Sequence, residues 1–179
     1  MKKPAIFSRR GFTLIELLIV IALLGALAIG LLATIDPFEQ LKKGKDTSTR
    51  NTVSEFYDAL IRYYSSKNDF PWIQTSANEP SANAMALNNT TALGWISSLE
   101  AAGELKQGFA NLAGTGNLAG IYVFQPATDK VAVCFAPQSR SFQIDPNSIY
   151  DNKGNTSGVD CKGSPTADTS ATGCYYCVQ

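Results

Sequence analysis

From Leu17 to Ala33 the chain contains only apolar side chains and glycine, an unbroken run of 17 residues in a total of 179. Coiled as a helix, that run is roughly 25 Å long. Extending it to Phe12 and Ile35 admits only Thr13, Glu16 and Thr34 as polar members, and 24 residues are enough to cross a bilayer. The rest of so small a chain would hardly surround such a helix, so the run reads as a membrane span. Lys2, Lys3, Arg9 and Arg10 precede it with no acid among them, which places the N-terminal end in the cytoplasm.

Glu16 is the exception inside the span. A carboxylate at the bilayer centre costs roughly 2.5–3.5 kcal/mol on insertion scales, and less near the interface. A plain anchor gains nothing from it. A charge of opposite sign in the same layer would offset the cost. The nearest candidate is a new α-amino group, which a cut before Phe12 would create.

The segment Arg10-Gly11-Phe12-Thr13-Leu14-Ile15-Glu16, with its basic leader and long apolar run, resembles the processing site of type IV prepilins and type II secretion pseudopilins. The resemblance continues through Ile35-Asp36-Pro37-Phe38-Glu39 to about Tyr64, the first third of the chain. It implies that a prepilin peptidase cuts between Gly11 and Phe12 and that Phe12 is then N-methylated. It implies that Glu16 pairs with the Phe12 amine of a neighbouring subunit during assembly. The implied partners are identical or related subunits, the peptidase and an inner-membrane assembly platform. The implied location is the cytoplasmic membrane first, then an extracellular or periplasmic filament. One departure stands out: many members have a proline in the second half of the apolar segment, where this chain has Ala33. A break in the helix would then fall at Gly25, Gly30 or Asp36-Pro37. Ser8-Arg9-Arg10-Gly11-Phe12 also resembles a twin-arginine export signal, with Ala26-Leu27-Ala28 as its cleavage site, but that reading leaves Glu16 unexplained.

Four parts are expected: a leader over 1–11, a transmembrane and assembly helix over 12–35, an amphipathic continuation over 36–66, and a globular head over 67–179. In the third, Val53, Phe56, Tyr57, Leu60 and Tyr64 recur at helical spacing, and Asp46 falls among the polar positions. Phe56, Tyr57, Tyr63 and Tyr64 read as core packing. Lys67-Asn68-Asp69 and Pro71 end the helix. A second helix is expected over Ala92–Leu105, capped by Thr90 or Thr91, with Leu93, Ile96, Leu99 and Trp95 inward. Gly108–Gly120 reads as a glycine-rich loop, and Gly114-Thr115-Gly116 lacks the Lys-Ser/Thr pair of a phosphate cradle. Ile121–Phe124 and Val131–Phe135 predict an antiparallel hairpin, with Phe142–Ile144 as a third strand. The fold class is α+β: a long N-terminal helix on a small antiparallel sheet, with a disulfide-fastened C-terminal region.

Cys134, Cys161, Cys174 and Cys177 are an even set behind an export-like N-terminus, which points to disulfides. Side chains three apart on a strand face opposite ways, so Cys174 and Cys177 favour different partners. Cys134–Cys177 with Cys161–Cys174 is the preferred pairing, and a local Cys174–Cys177 bond is its rival. The spacing has one close pair where a zinc module has two. Asp145, Asp151 and Asp160 are weak calcium candidates, without EF-hand spacing; no other cofactor is indicated. Beyond the leader, 11 basic residues face 15 acidic ones, so a nucleic-acid surface is not indicated. There is no histidine, no nucleophile–base pair and no paired-carboxylate motif, so no enzyme is expected. The expected function is that of a structural filament subunit. A membrane-tethered adhesion or ligand-binding module is the alternative.

Overall fold

The structure is a computed structural model, and it describes residues 11–34, 36–72, 84–127, 129–148 and 174–179. The chain forms two compact units that divide between Phe38 and Glu39.

In the first unit, α1 runs from Leu14 to Thr34. From Leu14 to Leu32 it is long and apolar enough to cross a membrane, and none of that stretch is buried within the protein. Gly25 and Gly30 lie inside α1 and do not interrupt it. The next helix, α2, is Pro37–Lys67. Its start has a local cause. Asp36 Oδ1 accepts from the Phe38 amide at 3.1 Å, the bond of an N-cap to the second helical residue. Pro37 occupies the first helical position, where its missing N–H is no loss. The helix boundary therefore falls at Asp36-Pro37 and not at the glycines.

In the second unit, α2 buries Val53, Phe56, Ala59, Leu60 and Tyr63, with Tyr57 and Tyr64 packed at the edge of the same cluster. Phe56 stacks on Phe109, with ring centroids 6.1 Å apart. These aromatics are core, as their spacing indicated. The helix ends at Lys67. Asn68 takes a left-handed φ of 58° and donates its amide to Tyr64 O at 2.7 Å, a C-terminal cap that asparagine tolerates. Phe70 and Trp72 then turn inward. They complete a stack of Tyr64, Phe70, Trp72 and Trp95 with successive centroids 4.7, 4.7 and 5.0 Å apart.

The sheet is an antiparallel meander in the order β1-β2-β3-β4: Met85–Ala86, Ile121–Ala127, Lys130–Phe135 and Tyr176–Val178. Alternation along its strands sorts the residues onto two faces. Ile121, Val123, Val131, Val133, Phe135 and Tyr176 join α2 in the main core. Phe124, Ala132, Cys134, Tyr175 and Cys177 form a smaller cluster on the other face. The chain is thus an α+β protein with a long apolar N-terminal helix, a four-stranded antiparallel sheet and a disulfide at its C-terminal strand, a pilin-like fold.

Four expectations are corrected. The second helix, α3 (Thr90–Ala101), is capped by Asn89, whose side chain accepts from Thr91 N, and not by a threonine. Its buried residues are Ala92, Trp95, Ile96 and Leu99, whereas Leu93 is exposed, because α3 turns the 92/95/96/99 stripe to the core. The 108–120 segment is not a loop. It forms two short helices, α4 (Phe109–Ala113) and α5 (Thr115–Leu118), drawn in by the burial of Phe109 and Leu118. Phe142 belongs to a short helix, α6 (Arg140–Gln143), and not to a strand. The third strand of the hairpin is supplied instead by the last residues of the chain, β4, and Phe142 covers Tyr176 and Phe135 with its ring.

Candidate functional site

The sequence-predicted residues Gly11, Phe12 and Glu16 lie together at the start of α1. Gly11, Phe12 and Thr13 precede the first helical residue, and Phe12 is exposed. Thr13 is the N-cap and Glu16 the third helical residue, the Thr-x-x-Glu spacing of a capping box. Both directions of that box are made. Glu16 donates its amide to Thr13 Oγ1 at 3.3 Å. In return Glu16 Oε2 accepts from Thr13 N at 2.9 Å and from Thr13 Oγ1 at 2.7 Å. Both Thr13 donors converge on one carboxylate oxygen. Glu16 Oε1 takes no hydrogen bond among the described residues.

Gly11 has no packing reason to be glycine. Among the described residues a Cβ there would meet nothing within 4 Å, and its φ lies outside the left-handed range. The fold would accept a larger residue at this place. A requirement for glycine at position 11 therefore has to come from outside the folded chain.

Within the second unit, Cys134 and Cys177 are bonded. They are direct partners across β3 and β4 on the face away from α2, so the register alone brings them together. The rival Cys174–Cys177 bond is thereby ruled out. Cys174 is itself disulfide-bonded. Cys161, its expected partner, lies outside the described residues. Of the calcium candidates, Asp145 Oδ1 is taken up by its own turn, accepting from Asn147 N at 2.9 Å and from Asn147 Nδ2 at 3.0 Å. Asp151 and Asp160 lie outside the described residues. Among those residues no group of three or more acidic or cysteine side chains is placed to hold a metal ion.

Two carboxylates of α2 have roles that their polar character alone does not reveal. Asp46, placed among the polar positions of α2, is 2% exposed and accepts from Gln138 N, Ser139 N and Ser139 Oγ. Glu39, seven residues earlier, accepts from Arg140 N. Two turns of α2 thus hold the start of α6 through three consecutive amides. The available signal was spacing. Asp46 and Thr49 precede Val53 by seven and four residues, so they continue the buried stripe. A surface groove of about 370 Å³, lined by Tyr57, Ile61, Asp129, Lys130, Val131 and Gln179, opens at the turn between β2 and β3.

No curated protein and no solved structure matches the chain. Residues 6–32, which include the whole capping box, match the family model of the prokaryotic N-terminal methylation motif. The chain therefore carries the prepilin-type cleavage and methylation motif, and the motif leads into a helix long and apolar enough to cross a membrane.

Proposed function

We propose that the chain is a structural subunit of a type IV pilus-like or type II secretion-like filament, cut between Gly11 and Phe12 and N-methylated at Phe12. The mature chain of 168 residues then waits in the cytoplasmic membrane with its N-terminus on the cytoplasmic side and its head outside. The assembly platform draws it into a filament, extracellular or periplasmic, whose centre is made of the apolar helices.

The observation that carries this reading is the half-used carboxylate of Glu16. One oxygen is saturated by Thr13, and the other has no donor among the described residues. The exposed sides of α1 supply none, since between Leu14 and Thr34 Glu16 is the sole charged residue. A neighbour's Phe12 amine, present only after the cut, supplies both the donor and the opposite charge. Docking without that pair leaves a carboxylate in an apolar bundle, so Glu16 selects both the processed partner and the register.

The test is Glu16→Ala. Removing one partner of a buried pair costs about 3–5 kcal/mol, so filament yield is expected to fall at least about tenfold while the amount of protein in the membrane fraction is unchanged. Unaltered filament yield counts against the mechanism. Mass spectrometry of the purified protein gives the second readout: a singly methylated N-terminus at Phe12. An N-terminus at Ile29 would support the twin-arginine reading instead.

The groove beside Tyr57 and Lys130 supports a second reading, a tethered module that binds a ligand or surface with its head. Under that reading, deleting the protein leaves filament yield intact and abolishes attachment.

A further inference from the structure

N-terminal to Asp46, the core-facing side of α2 continues into residues that the head leaves exposed. Thr49, Val53 and Phe56 are buried on that side. At helical spacing the same side continues towards the N-terminus through Lys45, Lys42 and Leu41. All three are exposed, Leu41 to 70%, and Lys43 beside them is exposed too. The covered stripe thus opens into one leucine and a cluster of lysines.

These lysines have no ion-pair partner among the described residues, where the one salt bridge is Arg62–Glu104. The adjacent acids of the same helix are turned to other work. Asp46 accepts from Gln138 and Ser139, and Glu39 accepts from Arg140 N. Three positive charges therefore stand together, while the chain from residue 51 onward holds 7 basic against 11 acidic residues. Lys42 is eight residues beyond Thr34, the end of α1, so at most about 29 Å of chain separates it from the membrane helix. That tether keeps the cluster within reach of the bilayer surface.

We infer that the Leu41–Lys45 turn of α2 docks on anionic phospholipid headgroups of the membrane that holds the chain. Leu41 enters the interface and the lysines pair with lipid phosphates, their alkyl stems lying along the acyl boundary. Charge complementarity selects an acidic lipid over a zwitterionic one. Continuity with the membrane helix selects a lipid surface over a soluble acidic partner. The inference rests on membrane anchoring and does not depend on filament assembly.

The test uses the full chain in nanodiscs of phosphatidylcholine alone or mixed with phosphatidylglycerol. A membrane-impermeant acylating reagent labels lysines, and peptide mass spectrometry reads each site. Exposed Lys106 and Lys130 on the head serve as internal references. Lys42, Lys43 and Lys45 are expected to label about fivefold more slowly in the anionic discs, with the difference removed by high salt. Equal labelling in the two lipids overturns the inference alone. Protection that follows the number of chains per disc and ignores lipid charge also overturns it, in favour of contact with a second copy. A chain that does not co-purify with the discs overturns the anchoring and this inference together.

Discussion

Asp46 Oδ2 accepts from Ser139 N at 2.7 Å and from Ser139 Oγ at 2.6 Å, two bonds between residues 93 apart in the chain. Gln138 N adds a donor at 3.0 Å. Together they fasten the end of β3 and the start of α6 to the middle of α2. Phe142 on α6 then closes over Tyr176. A single carboxylate thus connects the long helix to the strand that ends the chain.

Asp46→Ala is therefore expected to be the most damaging polar substitution in the second unit. It leaves buried donors without an acceptor, and each such group costs about 1–3 kcal/mol. A loss of about 3–5 kcal/mol should appear as a lower urea midpoint for the full chain in detergent. Ser139→Ala, which removes one donor and keeps the amide bonds, should cost about 1 kcal/mol. The exposed Arg62–Glu104 pair supplies the contrast. Glu104→Gln should cost under about 1 kcal/mol, since Arg62 is 54% exposed and water competes for it. An Asp46→Ala variant as mild as Glu104→Gln would refute this account.

How much of this was readable beforehand depended on how local the cause was. The long apolar helix, the end of α2 and the β2–β3 hairpin each follow from one continuous stretch of sequence, and each was legible. The N-terminal methylation motif was legible because it is one continuous run of sequence. The role of Asp46 was not, because its partners lie beyond the sheet. By polarity alone position 46 belongs with the solvent-facing residues, whereas its spacing from Val53 puts it on the buried stripe. Phe142 misled for a similar reason. A short apolar run suits a strand or a helical turn equally, and the choice fell to Cys177, which β3 pairs with instead. The glycines of 108–120 suggested a loop, yet Phe109 and Leu118 supplied enough burial to hold two helical turns.

Replacing Cys134 and Cys177 together with serine should destabilise the head by about 4 kcal/mol. The bond closes a separation of 43 residues, and loop-closure entropy of that length gives this figure. β4 is a three-residue edge strand, and its other contacts are the ladder to β3 and those that Tyr176 makes in the core. The cation–π contact of Arg50 over Tyr176, 5.2 Å from the ring centre, is one of them. Non-reducing peptide mapping should recover a linked Cys134–Cys177 peptide, and the double variant should show faster proteolysis near Tyr176. A Cys174–Cys177 peptide from native protein would contradict the register.

The two buried tryptophans should respond differently to the same change. Trp72 Nε1 donates to Gln125 Oε1 at 2.8 Å, whereas Trp95 Nε1 is buried without a partner among the described residues. Replacement by phenylalanine leaves a similar void at both places. At Trp72 it also removes a hydrogen bond. At Trp95 it removes an unsatisfied donor. Trp72→Phe should therefore cost about 1–2 kcal/mol more than Trp95→Phe in urea unfolding. Equal costs would mean that packing alone decides both sites.

Thr13 decides how Glu16 is held in the single subunit, and its variants separate two contributions. Thr13→Val keeps the shape of the side chain but removes the hydroxyl that donates to Glu16 Oε2 and accepts from Glu16 N. Loss of an N-cap costs about 1 kcal/mol. Hydrogen exchange of the first-turn amides of α1 in detergent should accelerate about fivefold, and the middle of α1 should be unaffected. Thr13→Ser keeps the oxygen and should exchange like the parent. The Thr13 backbone amide still donates to Glu16 in both variants, so the carboxylate stays partly held. Filament yield should accordingly fall less for Thr13→Val than for Glu16→Ala. If Thr13→Val lowers yield as far as Glu16→Ala does, the capping box itself is what docking requires, and pairing with a neighbour's amine is no longer needed to explain Glu16.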